Sequence, residues 1–234
     1  MLKSITDISL RKAAIISGIS ILIMTIAAAV ATDFTIGSLV VKNDPAATLK
    51  KITASEMLFR FGVLSWIVTL LCDVLASWGL YIFLKPVNKE LSLLMAWFRI
   101  VYVAILGAAL LNYVNVLSLV NNAKLASAFD GDQLQSQVML FINGFSDTWS
   151  IGLIVFGFHI LLLGYLGFKS GYIPKIFGVL LIIASAGYVI TNLGKLLLPD
   201  YDNYRTTLVL IFIAPMLSEV ALGLWLLIKG GKVT

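Results

Sequence analysis

Apolar residues run along this chain in six long blocks separated by short polar connections. Each block approaches or exceeds the ~20 residues that carry an α-helix across a bilayer. The pattern predicts an all-α, polytopic six-transmembrane-helix bundle forming a single membrane domain over residues 1–234. Its spans fall at about 13–31, 57–84, 91–120, 138–168, 176–198 and 207–228. The connections after the second and fourth spans are tight, so spans two and three, and four and five, form antiparallel hairpins. The other loops are longer. In the first, Asp44 followed by Pro45 is an N-cap and N1 pair, predicting a short surface helix over about 45–53. In the second, Asp132 is placed to cap the helix that becomes span four, and Asn143-Gly144 is a candidate break within it.

Composition fits that picture: 60% hydrophobic and 12% charged residues, with a mean hydropathy of +0.99. The net charge of +5 suggests nucleic acid only until its distribution is read. Lys3, Arg11, Lys12, Lys85, Lys89, Lys169, Lys175, Lys229 and Lys232 lie in the tails and tight turns, opposed there by Asp7 and Glu90 alone. The opposite loops are slightly acidic. This is a topology signal rather than a phosphate-binding face, and it predicts both termini in the cytoplasm. Trp78, Trp97 and Trp225 suit an aromatic belt near the cytoplasmic ends. Ala29-Val30-Ala31 resembles a signal-peptidase site, but the nineteen-residue run before it suits a retained span better than a signal sequence. One cysteine, Cys72, excludes an internal disulfide and a thiolate cluster, and one histidine argues against zinc or haem. No hydrolase, nucleotide or metal motif is present, so no cofactor, metal or catalytic residue is assigned. Membrane lipids are the expected surroundings, a small polar molecule or lipid the possible ligand. The oligomeric state is not encoded.

Ionisable residues inside the spans are costly and ask for partners. Counting about 1.5 Å per residue from the cytoplasmic ends puts Asp73, Arg99, His159 and Glu219, from four different spans, at roughly 12–17 Å depth. Tyr102 and Tyr188 reach the same level. This inner polar layer has two acids against one arginine, so His159 is protonated, a carboxyl is neutral, or a cation completes it. An outer layer collects Glu56, Arg60, Asn112, Asn115, Asn143, Asp147, Asn192 and Lys195. Asp147 and His159 share span four but are about 18 Å apart along it, so they belong to separate layers. Asp147 goes with Arg60 and Lys195.

Every one of these residues also has a purely structural reading. Asp73 and Arg99 sit at matched depth on one hairpin, as an ion pair holding it would. His159 suits a hydrogen bond to a backbone carbonyl of a neighbouring helix, and the asparagines suit helix–helix hydrogen bonding. Arg60 and Lys195 lie near enough to the outer interface to snorkel. Cys72 and the span-four glycines, Gly144, Gly152, Gly157, Gly164 and Gly167, suit close packing. Glu219 has no sequence-local partner.

Three stretches carry a family resemblance: ASEMLFRFG, LCDVLASWGLYIFLKPVNKELSLLMAWFRIV and DTWSIGLIVFGFHILLLGYLGFKSGYIPKIFGVLL. Together they resemble the bacterial membrane family DUF4386, a domain of unknown function. The shared pattern is Glu56 with Arg60, then Asp73, the KPVN turn, Arg99, Asp147 and His159, and a Ser-Gly-x-x-Pro turn. Glu219 is less clearly part of it. The resemblance implies a six-helix protein of the bacterial cytoplasmic (inner) membrane and brings no activity with it. Three functions remain open. The polar layers line a cavity that binds or moves a small polar molecule, lipid head group or proton. They merely hold a structural or regulatory subunit together. Or His159 serves as base in a lipid-modifying enzyme.

Overall fold

The computed structural model describes residues 8–122, 129–199 and 201–231. Its elements are α1 (Leu10–Ala29), a π-helical segment (Val30–Thr35), α2 (Ile36–Leu39), α3 (Pro45–Ala54), α4 (Glu56–Leu84), α5 (Lys89–Asn121), α6 (Gly131–Lys169), α7 (Lys175–Leu197), α8 (Tyr201–Met216) and α9 (Ser218–Ile228). Six helical stretches are long and apolar enough to cross a membrane: Leu10–Leu39, Glu56–Leu84, Lys89–Asn121, Gly131–Lys169, Lys175–Leu197 and Asn203–Ile228. The described residues form an all-helical bundle of multi-pass membrane type, with the start of α1 and the end of α9 on one face. Large apolar side chains such as Met57, Phe61, Leu111 and Leu140 point outward, as a bundle solvated by lipid tails requires.

Both expected hairpins form. In the first, Ser77 and Ser92 donate across the pair to the carbonyls of Ala96 and Tyr81, at 3.0 and 2.9 Å. In the second, the glycines set the spacing. A Cβ on Gly164 would lie 2.8 Å from the carbonyl oxygen of Gly178, and one on Gly157 would lie 2.7 Å from Val189. Small residues let the helices approach where lipid gives no hydrophobic drive. The surface helix forms as predicted, with the Asp44 carboxylate accepting from the backbone of Ala47 at 2.8 Å.

Several boundaries differ from expectation. The first span stays helical to Leu39 rather than ending at Ala31, because a π turn at Val30–Thr35 bends it over the neighbouring helix without breaking it. There Thr35 and Ile36 press on Gly62, where any Cβ would collide with both. Asp130, not Asp132, caps α6, in a reciprocal capping box with Gln133. Asn143-Gly144 is no break. The helix runs through it, and Gly144 is small because Asn112 lies against it, 2.7 Å from where a Cβ would sit. Conversely, the sixth span, expected as one helix over 207–228, is interrupted at Leu217.

That interruption divides the sixth span's allegiance. Its half nearer the chain ends, α9, packs closely on α1, with Gly18 facing Gly223. Its other half, α8, leans on α7, with Phe212 lying on Gly187, and stands off the first span. The ring of helices is therefore closed on the terminal side and parted between spans one and six on the far side. Arg11, read above as a topology charge, also joins the ends. Its guanidinium donates to the carbonyls of Leu226, Leu227 and Gly230 at 2.8–3.1 Å, satisfying the last turn of the sixth span.

Candidate functional site

The centre of the bundle is Arg99. It is wholly buried, and each of its three nitrogens has a hydrogen-bond acceptor. Nε donates to Asp73 Oδ1 at 2.9 Å, and Nη2 stands 2.7 Å from the same oxygen as an ion-pair contact. Nη2 donates to Met24 Sδ at 3.1 Å. Nη1 donates to Glu219 Oε1 at 2.7 Å and to His159 Nε2 at 3.0 Å. One side chain on span three thus ties down residues from spans one, two, four and six.

The geometry also assigns the histidine. Its Nδ1 stands 2.9 Å from the carbonyl oxygen of Met95, which only accepts, so Nδ1 carries the hydrogen. Nε2 faces a guanidinium, which only donates, so Nε2 is bare. His159 is the neutral Nδ1–H tautomer, and it makes the carbonyl bond and joins the charged layer at once. With both carboxylates ionised the cluster therefore carries one surplus negative charge. Of the three ways to close that account, a protonated His159 is removed; a neutral carboxyl or an added cation remains.

Asp73 and Glu219 keep slight exposures of 2% and 5%, while Arg99 and His159 keep none. The exposure faces a chamber of about 330 Å³ whose lining includes Asp73, Glu219, Tyr102, Tyr188, Trp66 and Trp149. Asp73 Oδ2 and Glu219 Oε2 accept no hydrogen bond from the described residues. Tyr102 accepts from Trp149 Nε1 at 3.4 Å, and Tyr188 meets Phe156 edge to face. The chamber adjoins two others toward the far face. A side chamber of about 350 Å³ shares Trp149, Leu153 and Tyr188 with it and adds Asn192, Lys195 and Arg205. A vestibule of about 740 Å³ is lined by Lys42, Asn143, Ser146, Trp149 and Arg205, under the loop before α3. Trp149 borders all three. Thr25 and Ala28 of span one and Ile213 and Leu217 of span six reach the deep chamber at the place where those spans part.

The remaining polar residues do not form one layer. Lys195 pairs with Asp147 at 3.2 Å and also donates to Ser146 and Ser150. Arg60 is not with them; it pairs with Glu56 at 2.6 Å, one helical turn away on its own helix. Asn112 and Asn192 return their amides to carbonyls of their own helices, Ala109 and Tyr188. Asn115 and Asn143 are exposed, and Asn143 borders the vestibule. Composition and depth did not reveal the contributions of Met24, Trp66 and Trp149, whose apolar character matches any span residue. No group of three or more His, Cys, Asp or Glu with metal-site geometry exists among the described residues.

Fold and site together define a multi-pass helical membrane protein with a polar chamber above a buried arginine centre. The chain belongs to the family described as a domain of unknown function (DUF4386), whose model matches residues 16–230. A relative from Archaeoglobus fulgidus, described as an uncharacterized protein, is 32% identical over 174 residues, covering 74% of this chain and 86% of the relative. No solved structure matches.

Proposed function

We propose that the protein binds, and passes along its chambers, a small polar molecule that enters from the far face. The observation that carries this reading is the run of three adjoining chambers, bordered throughout by Trp149 and floored by carboxylates each with one oxygen that accepts no hydrogen bond from the described residues. A purely structural cluster has no reason to leave acceptors facing an open space, given the cost of an unmet buried charge. The charge asymmetry of the loops supports cytoplasmic termini, a chamber opening outward, and the cytoplasmic membrane as the location. Bacterial origin rests on the family resemblance alone, and the archaeal relative shows that such chains are not confined to bacteria.

The reading as a structural subunit draws on a specific observation too, the full saturation of Arg99 by four other spans. The lipid-modifying-enzyme reading is weakened. Both nitrogens of His159 are engaged, which leaves no free base, and every Arg99 nitrogen is already engaged within the protein.

The test is thermal melting of the purified protein in detergent against a panel of small amines, carboxylates and sugars. The binding reading expects one class to raise the melting temperature of the wild type and not of Glu219→Gln, an isostere that still accepts from Arg99. A panel without effect, together with an altered melting temperature of Glu219→Gln alone, would favour the structural reading.

A further inference from the structure

Resting on the binding role proposed above, we infer that the deep chamber takes an organic ammonium ion, its charge on Asp73 and Glu219 and its apolar part among the aromatic walls.

Four features of the chamber point to a cation. First, the floor has one carboxylate more than it has cations, because His159 is held neutral between a carbonyl and a guanidinium. A monocation on the floor balances the cluster. Second, the cationic donors nearby are spent, and the donors left facing the space are neutral ones, the Tyr102 and Tyr188 hydroxyls and the Trp66 indole. All three nitrogens of Arg99 are engaged, and the indole N–H of Trp149 goes to Tyr102. The hydroxyls of Thr25 and Thr69 donate to carbonyls of their own helices. An anion would meet bare carboxylates, whereas an ammonium would meet acceptors from two sides. Third, Trp66, Trp149, Tyr102, Tyr188 and Phe156 surround the space. Aromatic faces attract cations, most strongly where water is excluded. Fourth, the chamber lies beside the parting between spans one and six, lined there by Ala28, Ile213 and Leu217. An apolar substituent fits that side, so an amine with an apolar body satisfies both halves of the lining. A bare inorganic ion would leave the aromatic walls unused.

Ammonium groups of this kind reach such a chamber from two sources, free amphiphilic amines and ethanolamine lipid heads. Benzylammonium serves as probe, with benzyl alcohol and benzoate as its neutral and anionic counterparts of similar shape. Binding is followed by calorimetry on the full chain in phosphatidylcholine nanodiscs. The expected result is that benzylammonium binds and the other two do not. Glu219→Gln should weaken benzylammonium roughly tenfold or more. Trp149→Leu, which leaves the charges alone, should weaken it as well, so a folding defect of one variant does not decide the matter. In nanodiscs containing phosphatidylethanolamine, weaker apparent binding of the probe identifies the lipid head as competitor, and unchanged binding identifies a free amine. Either outcome keeps the ammonium.

Benzoate or benzyl alcohol binding as tightly as benzylammonium would overturn the inference, as would wild-type affinity in Glu219→Gln. The binding role has its own control: a cysteine at Leu153, with Cys72 replaced by serine, should react with a water-borne thiol reagent. If that labelling succeeds and the ammonium fails, the ligand class is wrong and the chamber stands. If the labelling fails, both fall.

Discussion

Arg99→Met is expected to produce the largest loss of stability of any single substitution in this protein. Methionine replaces the stem but none of the five N–H bonds, leaving Asp73 and Glu219 buried without a counter-charge. Removing one partner of a buried ion pair costs about 3–5 kcal/mol, because the charge left behind is desolvated and uncompensated. Two carboxylates are stranded here, so the upper part of that range applies. The distinguishing feature is rescue. Arg99→Met combined with Asp73→Asn and Glu219→Gln carries no stranded charge and should recover much of the loss, since the penalty lies in the orphaned partners rather than in the missing bonds. Cys72, the single cysteine, is buried, so a thiol-reactive fluorophore reports unfolding directly. An Arg99→Met protein that melts with the wild type, or a triple variant no better than the single one, would contradict this role.

The second large effect is expected at Gly18. A Cβ there would stand 2.6 Å from the carbonyl oxygen of Gly223 and 2.9 Å from the amide of Leu227. Both are backbone atoms, so no rotamer change relieves the contact and the first and sixth spans must move apart. Overpacking of this kind costs about 1–3 kcal/mol for a single methyl, and Gly18→Leu should exceed it. The damage reaches the site, because Met24 and Glu219 ride on these two helices and both bond Arg99. Gly223→Ala should be somewhat milder, since its Cβ meets side-chain carbons of Ile21 at 2.8 and 3.1 Å rather than backbone atoms, but that β-branched stem is stiff and still resists. Melting curves of Gly18→Ala and Gly223→Ala measured beside the wild type check this; wild-type midpoints for both would show that the helices slide apart freely.

The inner layer was legible in the sequence because depth along a helix is a simple function of residue count. Asp73, Arg99, His159 and Glu219 each fall near mid-membrane, and a long arginine absorbs the error in the count. The partners on span one were not legible. Met24 is chemically silent in an apolar run, and only its geometry makes it a ligand of Arg99. The same holds for Trp66 and Trp149. The outer residues show where counting fails. Arg60, Asp147 and Lys195 lie at similar heights, but height leaves the direction around each helix open, and Arg60 turns to Glu56 instead. Likewise, Asn143-Gly144 has break chemistry yet serves a close contact, while the interruption falls at Leu217 in the sixth span instead. Local signals name which residues are unusual. Which neighbour explains each one is settled by packing.

Open space is expected to reach the carboxylate floor from the face opposite the start of α1 and the end of α9. Leu153 borders both the side chamber and the deep chamber, so it reports that space directly. Leu153→Cys in a Cys72→Ser background, in oriented membranes, should react with a membrane-impermeant thiol reagent added on that face and be protected when the reagent is added on the other. Asn143→Cys, at the vestibule, serves as the exposed control. Labelling of Asn143→Cys with none of Leu153→Cys from either side would show that the chambers do not connect, and would leave Arg99 and its partners as a structural pin alone.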